Sequence, residues 1–147
     1  MVYNAIDVAK YVINYSIEKE NPVSNLKLQK LLYYIQAAFL VKNKCVCFNE
    51  EIEHWRHGPV VAEVYREYKI YFNGAIYRQQ KGINICDHYK KVIEKVVDAY
   101  DNFEPWEMVD RTHEEDPWKE TESNNVISKD KIKKYFKNNE NRIFGGR

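Results

Sequence analysis

From Leu28 onward, apolar residues return at helical spacing: Leu28, Leu31, Leu32, Ile35, Ala38 and Phe39 share one face. A second patch, Leu26, Tyr33, Ala37 and Leu40, lies on nearly the opposite side, and only Gln29 with Gln36 and Lys27 with Lys30 separate the two. A helix that is apolar on two faces packs from both sides, which predicts the central helix of a bundle. Ser24 is its expected N-cap, because a serine hydroxyl can accept a hydrogen bond from a first-turn amide. The predicted span is Ser24 to about Val41.

The same pattern predicts further helices. Ile6, Ala9, Val12 and Ile13 mark one from Asn4 to Glu18, halted ahead of Pro22 because the residue before a proline avoids the helical region. Tyr89, Val92, Ile93, Val96, Val97 and Tyr100 mark another from about Cys86 to Tyr100. Pro105 opens a short helix to Thr112, and Ile132, Tyr135 and Phe136 place the last one over Ser128 to Lys137. Trp55-Arg56-His57-Gly58-Pro59-Val60 reads as one more helix start, since proline is favoured at the first helical position and glycine permits the sharp entry. Behind it Val61, Val64, Tyr65, Tyr68 and Phe72 repeat at helical spacing, up to the turn signal Asn73-Gly74. An extended pair is expected around Phe48 and Ile52–Trp55. The sum is mainly α: a compact single-domain helical bundle around a central buried helix, with at most a short β pair.

Composition narrows the function more than the fold. At 147 residues the chain has the size of one domain. A net charge of +1 gives no bulk electrostatic case for nucleic acid. No apolar run reaches the roughly 20 residues of a membrane span, and no charged-then-apolar leader opens the chain. Cys45, Cys47 and Cys86 are an odd, sparse set, which reads as reduced thiols in a cytoplasmic protein rather than a disulfide frame or a metal finger. Charge is unevenly spread. Glu104 to Glu122 holds eight acids against Arg111 and Lys119, and Lys129 to Arg147 holds seven bases against Asp130 and Glu140.

Catalytic signatures are sparse. There is no His-Glu-x-x-His, no Gly-x-Ser-x-Gly elbow and no glycine-rich phosphate loop in a chain with five glycines. His57, ahead of Gly58-Pro59, and His113, in Thr112-His113-Glu114-Glu115-Asp116-Pro117-Trp118, are the placements that helical periodicity does not explain. Such rings, with Trp55 and Trp118, commonly hold loops down by hydrogen bonds. Exposed tyrosine and tryptophan also anchor protein interfaces.

Three motifs carry a family resemblance: Leu26-Lys27-Leu28-Gln29-Lys30-Leu31-Leu32-Tyr33-Tyr34; Phe48-x-Glu50-Glu51-Ile52-Glu53-x-Trp55-Arg56-His57-Gly58-Pro59-Val60-Val61-x-Glu63-Val64-Tyr65; and Thr112-His113-x-Glu115-x-Pro117-Trp118. In this order they resemble the Panacea domain, also called the SocA-like antitoxin or phage-associated GepA-type domain. The likeness runs from Asn4 to Phe136 and departs at the Lys42–Phe48 loop, where cysteines replace a Gly- and Pro-bearing turn.

The resemblance implies an antitoxin of a bacterial or prophage toxin–antitoxin pair. Its partner would be a cognate toxin from an adjacent gene, with a host protease as a further partner, and neither membrane, nucleic acid nor cofactor is called for. The domain is expected over residues 1–137; the likeness departs again in a polar tail after Phe136, and the end of the helical signals at Lys137 makes 138–147 a flexible tail. Candidate partner-binding residues are Trp55, His57, Gly58, Pro59, Glu63, Tyr65, Thr112, His113 and Trp118. Two alternatives stand beside it: a phage accessory protein or protease adaptor without its own toxin, and a small enzyme pairing His57 or His113 with Glu63 or Glu115.

Overall fold

A computed structural model describes residues 2–146. The central helix is where the spacing predicts it. α2 spans Asn25–Ala38, and the Ser24 hydroxyl accepts from the Lys27 amide at 3.2 Å. Every residue of α2 except Leu26 is buried. The next five residues, Phe39–Asn43, widen into a π-helical turn that ends with Lys44 in the left-handed region.

The polar strips that separate the two apolar faces are buried as well, and each side chain secures another part of the chain. Gln36 accepts from the Cys47 amide at 2.7 Å and donates to the Phe48 carbonyl at 2.8 Å. Gln29 accepts from the Val61 amide at 2.9 Å and donates to Asn25 at 2.9 Å. Lys27 donates to the carbonyls of Tyr100 and Phe103 at 2.7 and 2.8 Å. Buried polar groups are tolerated when paired in this way.

Around α2 stand α1 (Ala5–Glu18), α3 (Ala62–Tyr68), α4 (Asp87–Ala99), α5 (Pro105–His113), α6 (Asp116–Lys119), α7 (Lys129–Lys137) and α8 (Glu140–Ile143). One hydrophobic core joins them, with Val12, Leu31, Ile35, Ile93, Met108 and Phe136 all fully buried. Ser128 caps α7 by accepting from the Lys131 amide at 3.1 Å. Among the described residues no helix is long and apolar enough to cross a membrane.

The structure corrects the expected β pair. β1 (Ile52–Trp55) is the middle strand of a three-stranded antiparallel sheet, between β2 (Gly58–Val60) and β3 (Val126–Ile127). Phe48 makes only an isolated bridge to Tyr3. Pro59 does not open a helix. It sits opposite His54 in the β1–β2 hairpin, and α3 begins only at Ala62. Helical periodicity also fails at Phe72. α3 ends at Tyr68, a 3-10 turn covers Lys69–Tyr71, and Phe72 then adopts φ of +52° with its ring 84% exposed.

The expected flexible tail is folded over its described part. Ile143 is fully buried, and the buried Arg111 guanidinium donates to the carbonyls of Arg142 and Gly146. The segment is held because its polar side chains have partners inside the domain. Met1 and Arg147, the outer ends of the two expected ranges, lie outside the described residues.

Candidate functional site

The β1–β2 hairpin turns at Arg56-His57, with Trp55 opposite Gly58. Gly58 has φ of +110°, a conformation open to glycine and strained for a residue with a Cβ. Space demands glycine too. A Cβ here would lie 2.7 Å from Cε of Lys30 and 2.8 Å from Oγ1 of Thr112. The hairpin therefore lies directly on α2 and α5.

Lys30 is the unusual group beneath it. Its side chain is fully buried, and Nζ donates to the Pro59 carbonyl at 3.1 Å. Desolvation of the ammonium pulls its pKa down to about 7. In the sequence Lys30 falls in a polar strip. A lysine between two apolar faces carries no sequence sign that it will be enclosed.

Trp118 braces the hairpin from the other side. Its indole nitrogen donates to the Trp55 carbonyl at 2.9 Å, and the Trp118 carbonyl accepts from Nδ1 of His54 at 2.8 Å. Its ring is stacked between His54 at 3.9 Å and His113 at 4.0 Å. His113 is half-buried, and burial lowers its pKa while a hydrogen bond with the Arg56 backbone opposes the shift. Its Nε2 has no hydrogen-bond partner.

The nine sequence-derived candidates therefore divide. Gly58, Pro59 and Thr112 are buried and shape the surface from below. His113 and Trp118 are half-buried in the brace. Trp55, packed edge-on against Tyr65 at 5.1 Å, and His57, edge-on to Trp106 at 4.9 Å, face a groove of about 860 Å³. Tyr65 is 38% exposed on the same wall, and Glu63 is exposed on α3 without lining the groove.

The groove also recruits residues outside that set: Arg56, Arg66, Lys69, Ile70, Phe72 and Trp106. Of the seven large hydrophobic side chains exposed among the described residues, four (Tyr65, Ile70, Phe72 and Trp106) line it. Trp106 could have been suspected as a large aromatic flanked by Glu104 and Glu107. Phe72 could not, because its place in the helical repeat pointed inward.

Glu115 belongs to a separate cluster inside the bundle. Its carboxylate accepts from Tyr33 and Tyr34 at 3.1 Å and pairs with Nε of Arg142 at 2.9 Å. Burial raises its pKa, and Arg142 and the two tyrosines pull it back. The carboxylate is thus engaged by α2 and α8, through Tyr33, Tyr34 and Arg142 rather than through either histidine.

In class, this is a small helical domain with a minor sheet, in which three of the four large exposed aromatics among the described residues, Tyr65, Phe72 and Trp106, line one groove beside the hairpin. It belongs to the antitoxin SocA-like, Panacea domain family, whose model matches residues 28–119. Over 59 residues the chain is 41% identical to Antitoxin SocA of Caulobacter vibrioides, a match covering 40% of this chain and 31% of that protein. The match thus spans under a third of that relative's length. No solved structure matches the chain.

Proposed function

We propose that this protein is an antitoxin that neutralises a cognate toxin, encoded by an adjacent gene, by direct binding through a folded surface. Family membership supports the antitoxin role. The observation that supports the surface is the gathering of exposed aromatics at the hairpin groove. Aromatic side chains are enriched at protein interfaces, and Phe72, 84% exposed, lies outside the hydrophobic core of this chain. The surface is built by the hairpin, α3 with the turn after it, and α5, all folded within this chain, so binding needs no large ordering of it.

The test is co-expression of the neighbouring gene in cells with and without this one, followed by pull-down of its product. Wild type should restore growth and retain the toxin. A Phe72→Ala, Trp106→Ala double variant should lose both while keeping its circular dichroism spectrum. Full rescue and retention by that folded variant would move the toxin site away from the groove. A neighbouring gene without toxicity would favour an accessory protein or protease adaptor.

A further inference from the structure

We infer that the groove takes an acidic segment of a partner protein, with a bulky apolar residue seated among the aromatics and carboxylates laid on the basic wall. The inference rests on reading the groove as the binding surface, but not on the partner being a toxin.

Charge is the first argument. Arg56, Arg66 and Lys69 line the groove, with the Lys30 side chain enclosed beneath it. Among the described residues that line it there is no carboxylate. In a chain with 23 bases and 22 acids, a wall of one sign is a local arrangement. Single-sign patches choose partners of opposite charge and speed their encounter.

Shape and apolar content supply the second. About 860 Å³ lies in the range of about 300–1,000 Å³ found for sites that enclose compact ligands. The aromatic rim of Trp55, Tyr65, Phe72 and Trp106 calls for an apolar anchor between the charges. Phe72 adds a backbone signal. A bulky residue at φ of +52° is strained, and such backbone is concentrated at functional sites. Here the unusual backbone holds the ring outward at the rim.

Aromatics interleaved with cations also suit single-stranded nucleic acid. The framing elements argue against that occupant. α3 carries exposed Glu63 and Glu67, while Glu104, Glu107 and Asp110 stand exposed around Trp106. A continuous phosphate backbone would have to run past these acids, whereas a peptide can place its few carboxylates on the basic wall alone.

The experiment titrates the whole chain with a blocked synthetic peptide holding one phenylalanine flanked by glutamates, read by tryptophan fluorescence and backbone amide shifts. Controls replace the glutamates by lysine, replace the phenylalanine by serine, or use oligothymidylate. The expected result is saturable binding of the first peptide with shifts at Trp55, Tyr65 and Trp106. Affinity should fall about tenfold or more in Arg66→Glu, Lys69→Glu and weaken as salt rises. No saturable binding at millimolar peptide, equal binding of the lysine peptide, preference for oligothymidylate, or shifts elsewhere on the chain would each overturn the inference. The same charge-reversed variant enters the toxin rescue assay. Rescue failing in wild type while the peptide binds refutes the antitoxin role alone. Undiminished rescue by the variant, with the peptide not binding to wild type, refutes the acidic occupant alone.

Discussion

Arg142 places Nε 2.9 Å from a carboxylate oxygen of Glu115, pairing α8 with a fully buried acid 27 residues earlier. Removing one member of a buried pair strands the other, at a cost of about 3–5 kcal/mol. Arg142→Ala should therefore lower unfolding stability by about that much at pH 7. Urea unfolding reads it, and a loss below about 1 kcal/mol would show that the two tyrosines suffice.

The same pair predicts a pH dependence. Burial already holds the Glu115 pKa above its ordinary value, and Arg142 opposes the rise. With Arg142 gone, the folded pKa rises further above the unfolded one. Such a group takes up its proton more readily in the fold, so its contribution is present at low pH and is lost as pH climbs through the folded pKa. The stability gap between wild type and Arg142→Ala should narrow from pH 7 to pH 5. A gap that stays constant would contradict the assignment.

Lys30 behaves in the opposite sense. Its folded pKa of about 7 lies far below the ordinary lysine value, so between about pH 7 and 10.5 the unfolded chain binds more protons than the folded one. Stability should rise with pH across that window by about 2–4 kcal/mol. The difference between wild type and Lys30→Met isolates this contribution. The methionine variant should equal or exceed wild type near pH 6, where the buried ammonium is most costly. A difference independent of pH would mean that Lys30 reaches water.

Gly58→Ala meets two obstacles at once. Its φ of +110° strains a residue with a Cβ, by about 1–2 kcal/mol for left-handed backbone, and the new methyl meets Lys30 and Thr112. The expected loss is about 2–4 kcal/mol, smaller when Lys30→Ala is introduced with it, because neighbours are non-additive. Thermal unfolding of the four variants of that cycle checks it. Equal losses with and without Lys30→Ala would rule out the contact.

Trp118 and Phe72 should separate cleanly. Trp118→Ala removes the stack between His54 and His113 and the bond to the Trp55 carbonyl, at a cost of about 3–5 kcal/mol. Phe72→Ala should change stability by under about 1 kcal/mol, since the ring is almost wholly exposed. Comparable losses from the two would place Phe72 in the fold rather than on the binding surface.

The helices were legible in the sequence, because spacing and caps are local. Ser24 and Ser128 accept the amide hydrogens expected of N-caps, and α1, α2, α4, α5 and α7 lie within a residue or a few of their predicted ranges. What was misread depends on contacts distant in the chain. Pro59 satisfies the cue for a helix start, yet its neighbours pair with β1, and a β3 some 70 residues on completes the sheet. The polar tail looked free because Ile143 and Arg142 find their partners only across the bundle. The family was legible in motifs that the helices, hairpin and brace now explain. The groove was legible in part, at Trp55, His57 and Tyr65. Arg66 faces it from the exposed side of α3, and Lys69 and Phe72 reach it from the turn that follows once α3 stops at Tyr68.

The pairing of Glu115 with Arg142 also sets a sequence of events at synthesis. Synthesis delivers Tyr33, Tyr34 and Glu115 before Arg142. Until Arg142 emerges, that carboxylate must stay protonated or keep the bundle open to water. A chain lacking α8 would leave Glu115 buried without its cation, and the bundle around Tyr33 and Tyr34 would lose stability accordingly.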